Sequence, residues 1–313
     1  MTILLKCAIL VKDSFLQQEE VMSLLEAILM GVIQGLTEFL PVSSSGHLAL
    51  FKILFDVETD TGILFDVLLH LGTLFAIFAV FYRDIFYMVR EGFAIIGDFF
   101  RNVAVFAGNV IHRRDDPYYK LINNSYRKFV MLVIVSTIPT GIIGYVAADV
   151  VEAAAEVLIV PGCCLIMTAV LLFVSDHVDI GDKTPKTVTY SNAFFIGICQ
   201  GFATLPGLSR SGTTIAICLL SKFNRKFAVK YSFIMSIPAI LGAVVLKLTD
   251  LPKLSLTASD VGCYLAGIFC AAIVGYICIR LMLVVVKRRK FTIFAVYCLL
   301  VGIVSIGGYF YMA

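Results

Sequence analysis

Gln34-Gly35-Leu36-Thr37-Glu38-Phe39-Leu40-Pro41-Val42-Ser43-Ser44-Ser45-Gly46-His47 is a polar run set in apolar surroundings. The chain carries a second version of it, Gln200-Gly201-Phe202-Ala203-Thr204-Leu205-Pro206-Gly207-Leu208-Ser209-Arg210-Ser211-Gly212-Thr213-Thr214. With a one-residue gap, the Gln-Gly pair, the proline and the Ser-X-Ser-Gly of the two runs align. Each run follows an apolar stretch and precedes another. Together they supply a carboxylate, an imidazole, a guanidinium and many hydroxyls. An ionisable group at membrane depth is expensive, roughly 2.5–3.5 kcal/mol for Arg at a helix centre, so its default reading is functional.

That the runs lie at membrane depth follows from composition. The chain is 60% hydrophobic and only 15% charged, with a mean hydropathy of +0.95, outside the range of soluble domains. The net charge of +3 is small and the basic residues form no long stripe, which argues against nucleic acid as a partner. The nine cysteines show neither metal-ligand spacing nor a disulfide framework and read as small buried hydrophobes. Met22 reads as a candidate start, with residues 1–21 as an N-terminal extension and 22–313 as one integral-membrane domain.

A helix needs about 20 apolar residues to cross a bilayer. Six segments qualify: 63–82, 129–148, 157–175, 231–249, 261–286 and 291–312. The regions 21–56 and 190–222 are interrupted by Pro, Gly and Ser. They read as re-entrant helix-loop-helix hairpins whose unwound backbone lines a protein-buried or wet cavity. The stretches 83–128, 222–230 and 287–290 are rich in Lys and Arg, whereas 149–156 has none and 250–260 has a single Lys among two Asp. The positive-inside rule puts the first three inside and the last two outside. Six spans plus two hairpins satisfy every assignment, with the first hairpin (22–56) entering from outside and the second (190–222) from inside. The expected fold is therefore an all-α polytopic membrane protein with an inverted-topology repeat, about 22–148 and 190–286. An echo between Ile138-Pro139-Thr140-Gly141 and Ile237-Pro238-Ala239-Ile240 is read as further duplication. The 84–112 stretch, which mixes Phe and Ile with charges, predicts an interfacial amphipathic helix.

Gln34 and Glu38 share a helix face, and Pro41 limits that helix. His47 falls near the start of the next helix, where free N–H groups suit an anion. In the second run Arg210 offers the planar fork that matches phosphate, and Thr214 is one turn further on. Hydroxyls, glycine backbone and one Arg make a phosphate cradle. Glu38 and His47 supply an acid, a base or a metal ligand. His70 is read as a packing or substrate-lining residue, and Asp66 as a helix cap or ion-pair partner.

The segments 35–47 and 206–214 resemble the two signature motifs of the undecaprenyl-diphosphate phosphatase family, the bacitracin-resistance family, over roughly residues 22–312. The resemblance implies a bacterial plasma-membrane hydrolase that removes the terminal phosphate of undecaprenyl diphosphate. It recycles the lipid carrier for peptidoglycan and confers bacitracin resistance by removing the drug's lipid target. It further implies a site opening to the outer face and a divalent metal, Mg2+ or Ca2+, at Glu38. A homodimer is carried as the candidate assembly. The family's functional acidic, Ser and His positions fall on Glu38, Ser44 and His47; its Ser-Arg pair and later Thr fall on Ser209, Arg210 and Thr214. One departure is Gln34, at the first position of an E-X-X-X-E-like pair, which throws the weight on Glu38.

The expected mechanism has Arg210, with Ser209 and Thr214, holding the diphosphate, and Ser44 or His47 as nucleophile. Glu38, Ser44, His47 and Arg210 form the catalytic set; Gln34, Ser43, Ser45, Ser209, Ser211 and Thr214 are expected to bind substrate. One rival is a lipid-phosphate flippase, which uses the same hairpins for binding alone. A phosphatase of the phosphatidic-acid type is a second rival, but it needs a His downstream of the Arg, and this chain has none after His177.

Overall fold

The computed structural model describes residues 23–55, 62–155, 157, 159–179, 181–248, 258–288 and 290–312. The proposed extension 1–21 and most of the 250–260 loop lie outside the described residues. Eleven α-helices follow in order among those described: α1 (Leu24–Phe39), α2 (Ser44–Phe55), α3 (Gly62–His112), α4 (Ser125–Val146), α5 (Ala148–Ala155), α6 (Ile159–Asp176), α7 (Tyr190–Phe202), α8 (Arg210–Leu220), α9 (Arg225–Leu248), α10 (Ala258–Val285) and α11 (Phe291–Met312). The extended pairing among the described residues is one bridge, Lys183 to Phe223. Six helices, α3, α4, α6, α9, α10 and α11, are long and apolar enough to cross a membrane. They match the six expected segments. Large side chains such as Phe75, Leu265, Phe269 and Val304 are exposed on them, as lipid-facing surfaces require.

Helix starts are set by local chemistry. Ser23 and Glu26 form a capping box on α1, with the Glu26 N–H to Ser23 Oγ at 3.2 Å and the Ser23 N–H to Glu26 Oε2 at 2.7 Å. Asn124 caps α4 and Thr189 caps α7. The expected span 63–82 and the expected helix 84–112 are two helical segments of α3 that meet at a kink, where Phe81 leaves helical geometry (φ −108°, ψ 21°). The segment after the kink is anchored by Arg127, whose guanidinium donates to Glu91 at 2.9 Å and Asp98 at 2.7 Å.

Lipid offers no hydrophobic drive between helices, so close packing has to supply it. Small residues do this at two matching seams. On α1, a Cβ on Gly31 would stand 2.4 Å from the Gly267 carbonyl oxygen, and one on Gly35 2.8 Å from Val274 Cβ of α10. On α7, a Cβ on Gly197 would stand 2.1 Å from the Ser136 carbonyl oxygen, and one on Gly201 2.7 Å from Ile143 Cβ of α4. The spacing agrees on both sides of each seam: Gly267 to Val274 and Ser136 to Ile143 are the same distance along their helices. Of the two prolines in the Ile-Pro echo, Pro139 sits in α4 against α7, and Pro238 sits in α9 in a groove that α3 and α4 also line.

Candidate active site

Two broken helices, α1–α2 and α7–α8, meet at their breaks. In the first, Leu40 takes an extended conformation (φ −72°, ψ 141°), as a residue before proline prefers. The chain then turns through Pro41 and Val42 to Ser43, whose φ of +71° is rare for a side chain of this kind. Ser43 closes α2: its Oγ accepts from the Gly46 N–H at 3.3 Å and its carbonyl from the His47 N–H at 3.2 Å. In the second, Gly207 adopts φ +88°, and a Cβ there would stand 2.2 Å from the Pro161 carbonyl oxygen, so this turn requires glycine. Ser209 closes α8 by the same two bonds, from the Gly212 N–H at 3.0 Å and the Thr213 N–H at 2.8 Å.

The two breaks touch reciprocally. A Cβ on Gly46 would lie 3.0 Å from Gly207 Cα, and one on Gly212 3.2 Å from Pro41 Cβ. Ser211 Oγ reaches back to the Leu40 carbonyl at 3.4 Å. This contact brings Glu38 of α1 to Arg210 of α8. The Arg210 guanidinium pairs with Glu38 Oε1. Glu38 Oε2 accepts from Ser44 Oγ at 2.7 Å and from Gln34 Nε2 at 3.0 Å. The Glu38 side chain is 6% exposed and that of Arg210 21%, so the pair is held largely out of water. An uncompensated charge here is costly, which explains why the carboxylate is so fully bonded.

A cavity of about 220 Å3 opens over this pair. It is lined by Glu38, Ser43, Ser44, Ser45, Ser209, Arg210 and Ser211, with Thr37, His70, Ala203, Thr204 and Leu208 completing the wall. Seven of the ten expected site residues therefore share one hollow. Gln34 stands behind Glu38 and orients it. Thr214 is fully buried behind Arg210, donating to the Arg210 carbonyl at 2.8 Å and bonding Ser232 of α9. It braces the first turn of α8 rather than facing the cavity.

His47 lies apart from this lining. Its Nδ1 faces the Ser43 carbonyl at 2.7 Å, and a carbonyl only accepts, so Nδ1 carries the proton. Nε2 then accepts from the Tyr297 hydroxyl at 2.7 Å, and the ring stacks on Tyr297. Both nitrogens are engaged.

His70, read from the sequence as a packing or substrate-lining residue, lies in the cavity wall. It comes from α3, its Nδ1 donates to the Asp66 carbonyl at 2.7 Å, and its Nε2 stands 3.5 Å from Glu38 Oε2. The available signal was its ionisable ring inside an apolar helix. Thr168 of α6 was missed. Its Oγ1 accepts from the Ser209 N–H at 3.0 Å and lies 3.3 Å from the Gly207 carbonyl, tying the second break to a neighbouring helix.

For a divalent cation the donor set is sparse but suitable. Among the described residues no three His, Cys, Asp or Glu gather into a metal cluster. Glu38 offers hard carboxylate oxygen, and Gln34 Oε1, buried beside it, has no hydrogen-bond partner. Mg2+ and Ca2+ take such oxygens, and Mg2+ is often bound by one or two carboxylates together with substrate phosphates.

The chain has clear relatives. The family model described as bacitracin resistance protein BacA matches residues 27–304. A protein named undecaprenyl-diphosphatase from Methanosphaera stadtmanae is 39% identical over 285 residues, 91% of this chain and 98% of the relative. Proteins of the same name from Alkaliphilus metalliredigens and Methanobrevibacter smithii are 38% and 39% identical, covering 91% and 92% of this chain and 98% of each relative.

Proposed function

The chain belongs to the bacitracin resistance protein BacA family, and on that premise we propose that it is a multi-pass cell-membrane phosphatase. It hydrolyses undecaprenyl diphosphate to undecaprenyl phosphate and inorganic phosphate and so recycles the lipid carrier. The observation that carries the chemistry is Ser44 Oγ donating to Glu38 at 2.7 Å, beside the Arg210 guanidinium.

In this reading Arg210, with Ser209, Ser211, Ser43 and Ser45, receives the terminal phosphate. Ser44 Oγ attacks phosphorus and its proton passes to Glu38 Oε2. The bond to the bridging oxygen breaks, undecaprenyl phosphate leaves, and water then releases phosphate from the serine. Arg210 stabilises the charge that spreads over the phosphoryl oxygens, a contribution worth roughly 10²–10³ in rate. His70, facing Glu38 with Nε2, is placed to share the proton taken from Ser44. His47, with both nitrogens bonded elsewhere, serves to hold α2 against α11. Glu38 is the group that would hold a divalent cation, which when bound would offset charge on the diphosphate. A flippase needs phosphate binding but neither a nucleophile nor a base, and the Ser44–Glu38 pair supplies both.

The two broken helices are read as re-entrant hairpins of inverted topology, within repeats 22–148 and 190–286, with the cavity open to the outer face. Their limbs have 16, 12, 13 and 11 residues. At about 1.5 Å per residue, none spans a hydrocarbon core of roughly 30 Å. Cysteines introduced at Arg114 and Lys222 would then label from the same face; labelling from opposite faces refutes the layout. A homodimer is tested by the mass of the detergent-solubilised protein.

The deciding test is phosphate release from undecaprenyl diphosphate by purified protein in detergent, wild type beside Ser44→Ala, with and without EDTA. Release by wild type and an acid-stable phosphoenzyme support the serine route. An acid-labile one transfers the role to His47. No release from protein that still binds the lipid favours the flippase.

A further inference from the structure

At the end of the bundle that carries the basic segments 222–230 and 287–290 lies a second, larger hollow of about 670 Å3, between α3, α4, α9 and α10. Lys226, Lys230, Arg280 and Lys287 line it, and Asp84 is the one carboxylate among its lining residues. That carboxylate is occupied, by Lys230 at 2.8 Å and the Tyr126 hydroxyl at 3.2 Å. Lys226, Arg280 and Lys287 have no carboxylate partner among the described residues; Arg280 donates to the Tyr276 hydroxyl at 2.9 Å. Like charges turned toward one hollow repel unless an anion joins them.

A further hollow lies on three of these helices. α3, α4 and α9 also line a groove of about 370 Å3 with apolar residues such as Met88, Val133 and Ile234. Its lining starts within a turn of that of the basic hollow on each helix: Ile85 beside Asp84, Val130 beside Phe129, Ile234 one turn from Lys230. A positive hollow large enough for a phosphate headgroup, beside an apolar groove, matches one class of molecule in a membrane.

We propose that this composite surface binds an anionic phospholipid, with its phosphate among Lys226, Arg280 and Lys287 and an acyl chain along the groove. Basic pockets between transmembrane helices bind such headgroups through the same charge excess. The site lies on residues apart from Glu38, Ser44 and Arg210 and stands whether or not those hydrolyse a diphosphate.

The test is native mass spectrometry of delipidated full-length protein with phosphatidylglycerol, phosphatidylcholine or inorganic phosphate. Phosphatidylglycerol is expected to bind more tightly than phosphatidylcholine, and K226Q/R280Q to weaken it roughly 10- to 30-fold. Lys186→Gln, an exposed lysine outside the hollow, should leave it unchanged. Gly92→Phe fills the groove, where a Cβ has 4.0 Å of room to Val130. It should weaken long-chain phosphatidylglycerol but not a short-chain analogue. Thermal stability of each variant separates lost binding from lost folding. Equal binding of the two phospholipids, or an unaffected double variant, overturns the proposal. So does displacement of the lipid by millimolar phosphate with no dependence on chain length, which would make this a free-phosphate site.

Discussion

The two broken helices are held by the same bonds and carry opposite chemistry. Ser43 and Ser209 each cap the second limb through a side-chain oxygen and a carbonyl, and Ser43–Ser45 and Ser209–Ser211 each set two hydroxyls 3.4 Å apart. The slot between them opens the second limb. It holds Ser44 in one copy and Arg210 in the other, and both reach Glu38. Four residues after the paired glutamines stand Glu38 and Thr204. Glu38 reaches across the seam, while Thr204 Oγ1 turns back to the Gly201 carbonyl at 2.8 Å. The first break thus supplies carboxylate and hydroxyl, and the second supplies the cation. Duplicated backbone fixes where a side chain is delivered; the residue in the slot decides what it does there.

The largest expected effect tests that division of labour. Ser44→Ala should lower kcat for phosphate release by about 10⁴-fold or more, as loss of a nucleophile does, while lipid binding persists. A fall below 10-fold would remove Ser44 from the reaction. Arg210→Ala should cost roughly 10²–10³-fold, with Arg210→Lys recovering part of it but not the two-pronged geometry. Full recovery by Lys would mean that charge alone matters in the second slot. Next come the turns. Gly207→Ala meets both a positive φ and the Pro161 carbonyl, and should destabilise the protein by about 2 kcal/mol or more, read as a lower melting temperature in detergent. Ser43→Gly, which relieves a positive φ but loses a cap, should change stability by less than about 1 kcal/mol. Equal shifts would mean that the two turns are not built differently. The smallest effect is expected at Tyr297→Phe, which loses one hydrogen bond that holds a helix, and at His47→Ala, which loses two and a ring contact, each within about 5-fold in kcat because neither group faces the cavity. His70→Ala should exceed both and shift the pH profile, which neither of the others does.

The broken helices were legible because prolines, glycines and serines interrupt apolar runs, and the six spans because their length and composition are unambiguous. Most of the cavity followed from the paired motifs. His70 did not, because it reaches the cavity from a different helix and nothing in Leu69-His70-Leu71-Gly72 points toward Glu38. His47 lies within the motif, but the hydroxyl that engages it belongs to Tyr297, far along the chain. The kink at Phe81 was legible because the charges at 83–91 mark the end of an apolar span. What the sequence did not show is that two of them, Glu91 and Asp84, pair with Arg127 and Lys230, partners that only the folded chain brings close.

The reciprocal glycine contact has a mechanical side. Gly46 and Gly207 touch through backbone, with no side chain to act as a cushion. Ser44 and Arg210 therefore sit on separate halves whose separation is set at this joint together with the Gly212–Pro41 contact. A sideways slip of the halves by the width of a methyl group would pull Ser44 and Arg210 away from a common phosphate without altering either residue. Small molecules that wedge this joint would inhibit without resembling the substrate.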